Sequence, residues 1–79
     1  MSFDKVAIIG LGLLGGSIGL AVAEHLPGTA TTGYDSDERV RRRAEERGLV
    51  GTVCATAVEA VEGADLVILC VPVGAMGEV

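Results

Sequence analysis

An apolar run, Val6-Ala7-Ile8-Ile9, feeds directly into Gly10-Leu11-Gly12-Leu13-Leu14-Gly15, and Asp35 follows twenty residues after the last of these glycines. No other feature of the chain constrains its fold as tightly. The apolar run suits a buried parallel strand. Gly10 permits a tight strand-to-helix turn, Gly12 lets the backbone approach a pyrophosphate with no side chain between, and Gly15 lets the following helix lie close to the strand. The start of that helix offers free N–H groups and a partial positive charge to phosphates. A carboxylate ending the second strand, Asp35, is placed to accept hydrogen bonds from the adenosine ribose hydroxyls. Glycine-rich turns are common, and the same glycines can serve packing alone in a βαβ unit that holds nothing. Here the strand before, the helix after and the acid at the right distance occur together, so the expectation is a nicotinamide-dinucleotide site.

The remaining elements follow from periodicity and punctuation. The first strand is expected from about Lys5 to Gly10 and the first helix from about Leu13 to His25, with Ile18, Ala21 and Val22 as its apolar face. Gly15 and Gly19 lie four apart on one side of that helix, which lets it sit tightly. Pro27-Gly28 ends the segment, and Ala30–Tyr34 forms a second strand. A second helix spans roughly Asp37 to Arg47, capped at its start by Asp35 or Ser36 and stopped by Gly48. Val40 and Ala44 are its inward stripe, and Glu38 and Arg42 are spaced for a surface ion pair. A short third strand near Thr52–Cys54 precedes Thr56-Ala57-Val58-Glu59, a capping-box pattern that opens a small helix closing at Gly63. The run Asp65–Val71 is unbroken apolar sequence after its acid, as in a parallel strand buried on both faces. Pro72 ends it, and Val73–Val79 begins a further helix. The fold class is α/β: the N-terminal half of a Rossmann fold, β-α-β-α-β-α-β, a parallel sheet in the order 3-2-1-4 with helices on both faces.

With 79 residues the chain makes one small domain at most, and complete dinucleotide folds are typically about 100–200 residues. Residues 1–79 therefore read as a partial dinucleotide-binding domain. A net charge of −5 argues against nucleic-acid or anionic-membrane partners, and Arg39–Arg43 are interleaved with Glu38, Glu45 and Glu46 as on a solvated helix face. No apolar stretch is long enough to span a bilayer, and Asp4 ahead of the first strand is unlike a secretory signal, so the expected compartment is the cytoplasm. Cys54 and Cys70 fall near the third and fourth strands, about three strand spacings of ~4.8 Å apart in the expected order. That is too far for a disulfide, so both are expected as buried free thiols, and no metal-ligand spacing is present.

Asp35 also bears on cofactor choice. It would repel the 2′-phosphate of NADP and can pair with the free diol of NAD, so NAD is expected over NADP. Ser36 stands beside it where a phosphate-binding enzyme more usually carries a basic residue, while Arg39 and Arg41 are near enough in sequence to soften the repulsion. Cys70-Val71-Pro72-Val73 falls at the carboxyl end of the fourth strand, where its backbone would line the cofactor groove. The single histidine, His25, lies ~18 Å along the helix from the glycine turn at ~1.5 Å per residue, and reads as an ordinary helix-end residue. Lys5 is the one lysine, and no acid–base pair is poised near the nicotinamide position. Binding chemistry is present and reaction chemistry is not.

Taken together, Val6–Ser17 with its Gly15-Gly16-Ser17 continuation, Gly33-Tyr34-Asp35, Gly48-Leu49-Val50 and Asp65–Val73 resemble the start of prephenate dehydrogenase and its arogenate-using relatives, the TyrA-type enzymes of tyrosine biosynthesis. The resemblance implies an oxidative decarboxylation dependent on NAD(P), with prephenate or arogenate as substrate. It implies Gly10, Gly12, Leu13, Leu14 and Gly15 at the pyrophosphate, Asp35 and Ser36 at the adenosine ribose, and Val71, Pro72 and Val73 along the groove. It places the catalytic histidine, the substrate-binding arginine and a helical domain that forms a homodimer downstream of this chain. No catalytic residue is therefore assigned here, and the chain alone is expected to be inactive. Two other readings remain: another oxidoreductase of the 6-phosphogluconate-dehydrogenase-like superfamily, or a non-catalytic Rossmann module that senses a nucleotide.

Overall fold

The computed structural model describes residues 3–70. Its elements are β1 (Lys5–Ile9), α1 (Leu13–His25), β2 (Ala30–Tyr34), α2 (Glu38–Arg47), β3 (Thr52–Val53), α3 (Ala57–Val61) and β4 (Leu66–Leu69). All pairings are parallel and the strand order is β3-β2-β1-β4, the expected Rossmann half. Parallel strands need crossovers, and right-handed crossovers fix the layers. The chain moves one way from β1 to β3, which puts α1 and α2 on one face. It then reverses to reach β4, which puts α3 on the other. The expected Val71–Val73 groove segment and the helix from Val73 to Val79 lie outside the described residues.

Alternation along β1 divides the core. Val6 and Ile8 point to the α1–α2 side and are closed off with Leu11, Ala44 and Val50, with Ile18, Val40 and Leu49 packed around them. Ala7, also buried, points to the α3 side, in register with Thr32. There the Thr32 hydroxyl donates to the Ala60 carbonyl at 2.7 Å and fastens α3 to the sheet. On the first side the Gly51 N–H donates to the Thr31 hydroxyl at 2.7 Å and closes the α2–β3 connection. No buried side-chain polar atom among the described residues lacks a partner, as a small core requires.

Helix α1 has its expected bounds but not its expected face. Its buried residues are Gly15, Gly16 and Gly19; Ile18 and Val22 are half-buried, and Ala21 is exposed. The cause is close approach. A Cβ on Gly15 would collide with the Gly10 carbonyl oxygen, and one on Gly19 with the Leu49 carbonyl oxygen. Backbone has taken the space that side chains would fill, and the leucines Leu13, Leu14 and Leu20 face outward.

The burial expected of the fourth strand is not seen. Leu66, Val67 and Leu69 are exposed, and Ile68 alone of the four packs on the core. Among the described residues β4 is an edge strand, and the five-residue α3 rests mainly over β1 and β2. Cys54 and Cys70 are free thiols as expected, though half-buried rather than enclosed. Glu38 and Arg42 do not pair; the ion pair among the described residues is Arg39–Asp37, at 3.4 Å. No helix among those residues is long and apolar enough to cross a membrane.

The α1 contact gives a direct test. Gly19→Ala destabilises the fold by about 1–3 kcal/mol through overpacking against the Leu49 backbone, despite the better helix propensity of alanine. Gly28→Ala, where a Cβ meets nothing within 4 Å, shifts stability by less than ~0.5 kcal/mol. Urea midpoints of the two variants separate these outcomes.

Candidate functional site

The carboxyl ends of β1, β2 and β4 meet at one edge of the sheet. Hydrogen bonds extend the ladder just past the strands there: Gly10 N–H to the Tyr34 carbonyl at 2.8 Å, Cys70 N–H to the Ile9 carbonyl at 2.7 Å, and Cys54 N–H to the Gly33 carbonyl at 2.8 Å. The glycine turn and Asp35 are thereby fixed side by side. Gly10 has φ of 100°, a backbone conformation that a side chain rarely adopts, and a Cβ there would sit 2.5 Å from the Cys70 carbonyl oxygen. Two independent constraints therefore require glycine at this corner.

Gly12 is different. It is the N-cap of α1, it is exposed, and a Cβ on it would meet no atom within 4 Å. Among the described residues nothing fills the space that a side chain here would take. The amides of Gly12, Leu13, Leu14 and Gly15 donate to nothing among the described residues, and the first return bond of the helix is Gly16 N–H to the Gly12 carbonyl at 2.9 Å. α1 also has no side-chain cap and no acid in its first turn, whereas α2 is capped by Asp37 and α3 by Thr56. Of these helix starts, only that of α1 keeps its positive end uncompensated.

Asp35 is half-buried and bridges two segments. Its Oδ2 accepts from the Leu11 N–H at 2.9 Å, and its Oδ1 accepts from the Asp37 N–H at 2.9 Å. A carboxylate has about four lone-pair sites, so one on each oxygen is unused among the described residues. Two acceptors side by side match the two hydroxyl protons of a ribose diol. The cap of α2 is neither Asp35 nor Ser36. Asp37 fills that position and accepts from the Arg39 N–H at 2.9 Å, because the Oδ1 bond turns the chain one residue further before the helix begins. Ser36 is exposed, with no hydrogen bond from its hydroxyl among the described residues.

Neither nearby arginine pairs with the Asp35 carboxylate. Arg39 lies out in solvent against Asp37, while Arg41 donates to the Asp35 backbone carbonyl at 2.7 Å and stands over the Tyr34 ring at 5.6 Å. Arg41 thus stays beside Asp35 as a nearby cation without pairing with its carboxylate. Leu11 was an unassigned spacer in the glycine motif, yet it serves twice. Its side chain is buried over Gly33, and its N–H holds Asp35. A backbone donor leaves no mark on residue identity, so only its place between two constrained glycines hinted at the role.

A groove of about 180 Å³ leads from the turn between α1 and α2, lined by Leu11, Gly12, Leu13, Ser17 and Arg43 among others. A larger hollow of about 380 Å³ lies toward the amino edge of the sheet, by Pro27, Thr29 and Gly51, and neither the glycine turn nor Asp35 lines it. His25 ends α1 on the exposed surface, remote from the turn in sequence.

The profile of the family described as "Prephenate dehydrogenase, nucleotide-binding domain" matches residues 18–79. The chain belongs to that family. A cyclohexadienyl dehydrogenase of Zymomonas mobilis subsp. mobilis is 47% identical over 75 residues, covering 95% of this chain and 26% of the relative. A prephenate dehydrogenase of Lactococcus lactis subsp. cremoris is 40% identical over 72 residues, covering 87% of this chain and 19% of the relative. The chain thus spans about a quarter or less of the length of these curated relatives. Together they bear out the resemblance read from the sequence and identify the domain as nucleotide-binding. The family match begins at residue 18, after the glycine turn, so the assignment of Gly10–Gly15 to phosphate rests on geometry.

The cap of α2 has a measurable signature. The Asp37 carboxyl is held below its usual value of 3.8, first by the side-chain hydrogen bond from Arg39 and then by the Arg39 amide. A group whose folded pKa is depressed stabilises the fold above its unfolded value and loses that contribution as pH falls through the folded one. The thermal midpoint therefore drops on acidification from about pH 5 to about pH 2, and Asp37→Asn flattens part of that slope. A variant with the wild-type slope would contradict the cap.

Proposed function

We propose that this chain is the NAD-binding portion of a prephenate or arogenate dehydrogenase. The observation that carries the reading is Asp35, held at the end of β2 with one acceptor site on each oxygen unused among the described residues, beside four amides at the start of α1 that have no partner among those residues. An adenosine ribose at Asp35 and Ser36 and a pyrophosphate at Gly10, Gly12, Leu13, Leu14 and Gly15 fit that pair of features. NAD is favoured over NADP because a 2′-phosphate would meet the Asp35 charge, and neither Arg39 nor Arg41 forms an ion pair with that carboxylate.

When bound, the dinucleotide supplies a hydride acceptor. This chain's own contribution is to fix the pyrophosphate by backbone amides and orient the ribose by one carboxylate, and no residue of it is assigned to proton transfer. The substrate, a cyclohexadienyl carboxylate such as prephenate or arogenate, would be held by parts beyond this domain, and so would a homodimer contact. A cytoplasmic location accords with both. The relatives are both named as dehydrogenases, which supports an enzyme over a nucleotide-sensing module.

Calorimetric titration tests the cofactor assignment. NAD binds more tightly than NADP by at least about tenfold, as one desolvated like-charge contact dictates, and Asp35→Ala narrows that ratio. Equal affinities in the wild type, or an unchanged ratio in the variant, would remove Asp35 from the ribose. Residues 1–79 alone give no turnover with prephenate and NAD, and NADH formation followed at its absorbance band would contradict that division of labour.

A further inference from the structure

We infer that Asp35 is also a positioning residue for the phosphate-binding turn, so that the ribose and pyrophosphate positions are energetically coupled. The coupling rests on the dinucleotide reading; the tether itself rests on geometry alone. Leu11 lies between the two glycines of the turn, and the Asp35 carboxylate is the partner of its N–H, at 2.9 Å. Gly12, next in the chain, begins the run of free amides. The direction of those amides therefore follows from where Leu11 is held.

Asp35 is itself held from three sides. The Asp37 N–H fixes Oδ1, the Arg41 guanidinium fixes the backbone carbonyl, and the Gly10 N–H bond to the Tyr34 carbonyl ties the preceding peptide to the turn. The Leu11 side chain, closed over Gly33, blocks the remaining freedom. A glycine turn free of side-chain contacts is conformationally loose. Here one carboxylate links it to the far strand, and the same carboxylate keeps open acceptors for a diol. Loss of the tether should therefore loosen the phosphate site even for a ligand with no ribose hydroxyls.

Asp35→Asn separates this from a plain ribose contact. Asparagine offers one acceptor oxygen to two amides, so either Leu11 or Asp37 loses its partner. Backbone hydrogen exchange of the ligand-free protein should then accelerate about tenfold or more at one or both of these amides, the change expected for losing a hydrogen bond to a charged acceptor, while Ile8 in β1 keeps its protection. Unchanged exchange at Leu11 and Asp37 would overturn the tether. If Ile8 loosens too, Asp35→Glu, which retains both oxygens, is compared; recovery of Leu11 protection supports the tether and its failure to recover overturns it.

The coupling is read with ADP and 2′,3′-dideoxy-ADP. Removing a carboxylate near an anionic ligand should tighten binding by Coulomb's law, so the two effects have opposite signs. The tether predicts that Asp35→Asn weakens dideoxy-ADP by about fivefold or more; unchanged or tighter binding would leave Asp35 a ribose contact only. Wild-type protein that binds neither nucleotide would refute the dinucleotide reading, and with it the coupling, while the exchange measurement still decides the tether.

Discussion

The approach of α1 to the end of β1 is the contact on which the rest of the domain depends. The Gly10 carbonyl stands where a side chain on Gly15 would be, and Gly19 meets the Leu49 carbonyl in the same way. A helix seated by backbone contact cannot be moved outward by a fraction of an ångström without consequence. Its first amides would leave the carboxyl edge, Leu11 would lift from Gly33, and its N–H would lose Asp35. Side-chain burial contributes less here than in an ordinary amphipathic helix, because the buried positions of α1 are glycines and its leucines face out. In a domain this small, which buries a modest fraction of its surface, a few close contacts carry a large share of the margin.

Electrostatics at the same edge follow from how each helix begins. The chain as a whole is acidic, at −5, so a site for an anion has to be made locally. α2 begins at the carboxyl edge of β2, but Asp37 and Glu38 neutralise its positive end. The capping hydroxyl of Thr56 does so for α3 through the Glu59 N–H. Among the described helices, α1 alone begins on glycine with two leucines in its first turn, and supplies neither a cap nor an acid. The uncompensated amides and the diol-sized acceptor of Asp35 lie next to one another because the Leu11 bond joins them. Two chemically different features, free amides and a fixed carboxylate, are thus joined by a single backbone hydrogen bond and the strand order.

What could be read in the sequence was whatever side-chain identity controls. The bounds of α1 and β2, the left-handed glycine after α2 and the Thr56 cap were all legible because Gly, Pro and Thr act through local geometry. The strand order followed from the same half-fold pattern. Three features were not legible. Asp35, Ser36 and Asp37 stand in a row and each can cap a helix, so residue type does not decide among them; the Asp35 Oδ1 accepts from the Asp37 N–H, and the cap falls to Asp37. The apolar run of β4 specifies a strand suited to burial, but the degree of burial depends on what packs against it. The inward face of α1 is the third: apolar side chains ordinarily seek the core, whereas the core here accepts glycine backbone.

Fixing Asp35 by two amides bears on discrimination as well as on shape. A carboxylate free to rotate could turn away from a 2′-phosphate and relieve the repulsion at small expense, as a flexible surface acid does in water. One held through Oδ1 by Asp37 and through Oδ2 by Leu11 cannot turn without giving up a hydrogen bond at each oxygen. Arg41, the cation best placed to help, is committed to the Asp35 carbonyl and the Tyr34 ring. On the proposed reading, then, preference for the unphosphorylated dinucleotide and rigidity of the phosphate turn share a cause. A substitution that relaxes one relaxes the other, so cofactor preference at this site cannot be shifted through Asp35 alone without loosening the grip on both cofactors.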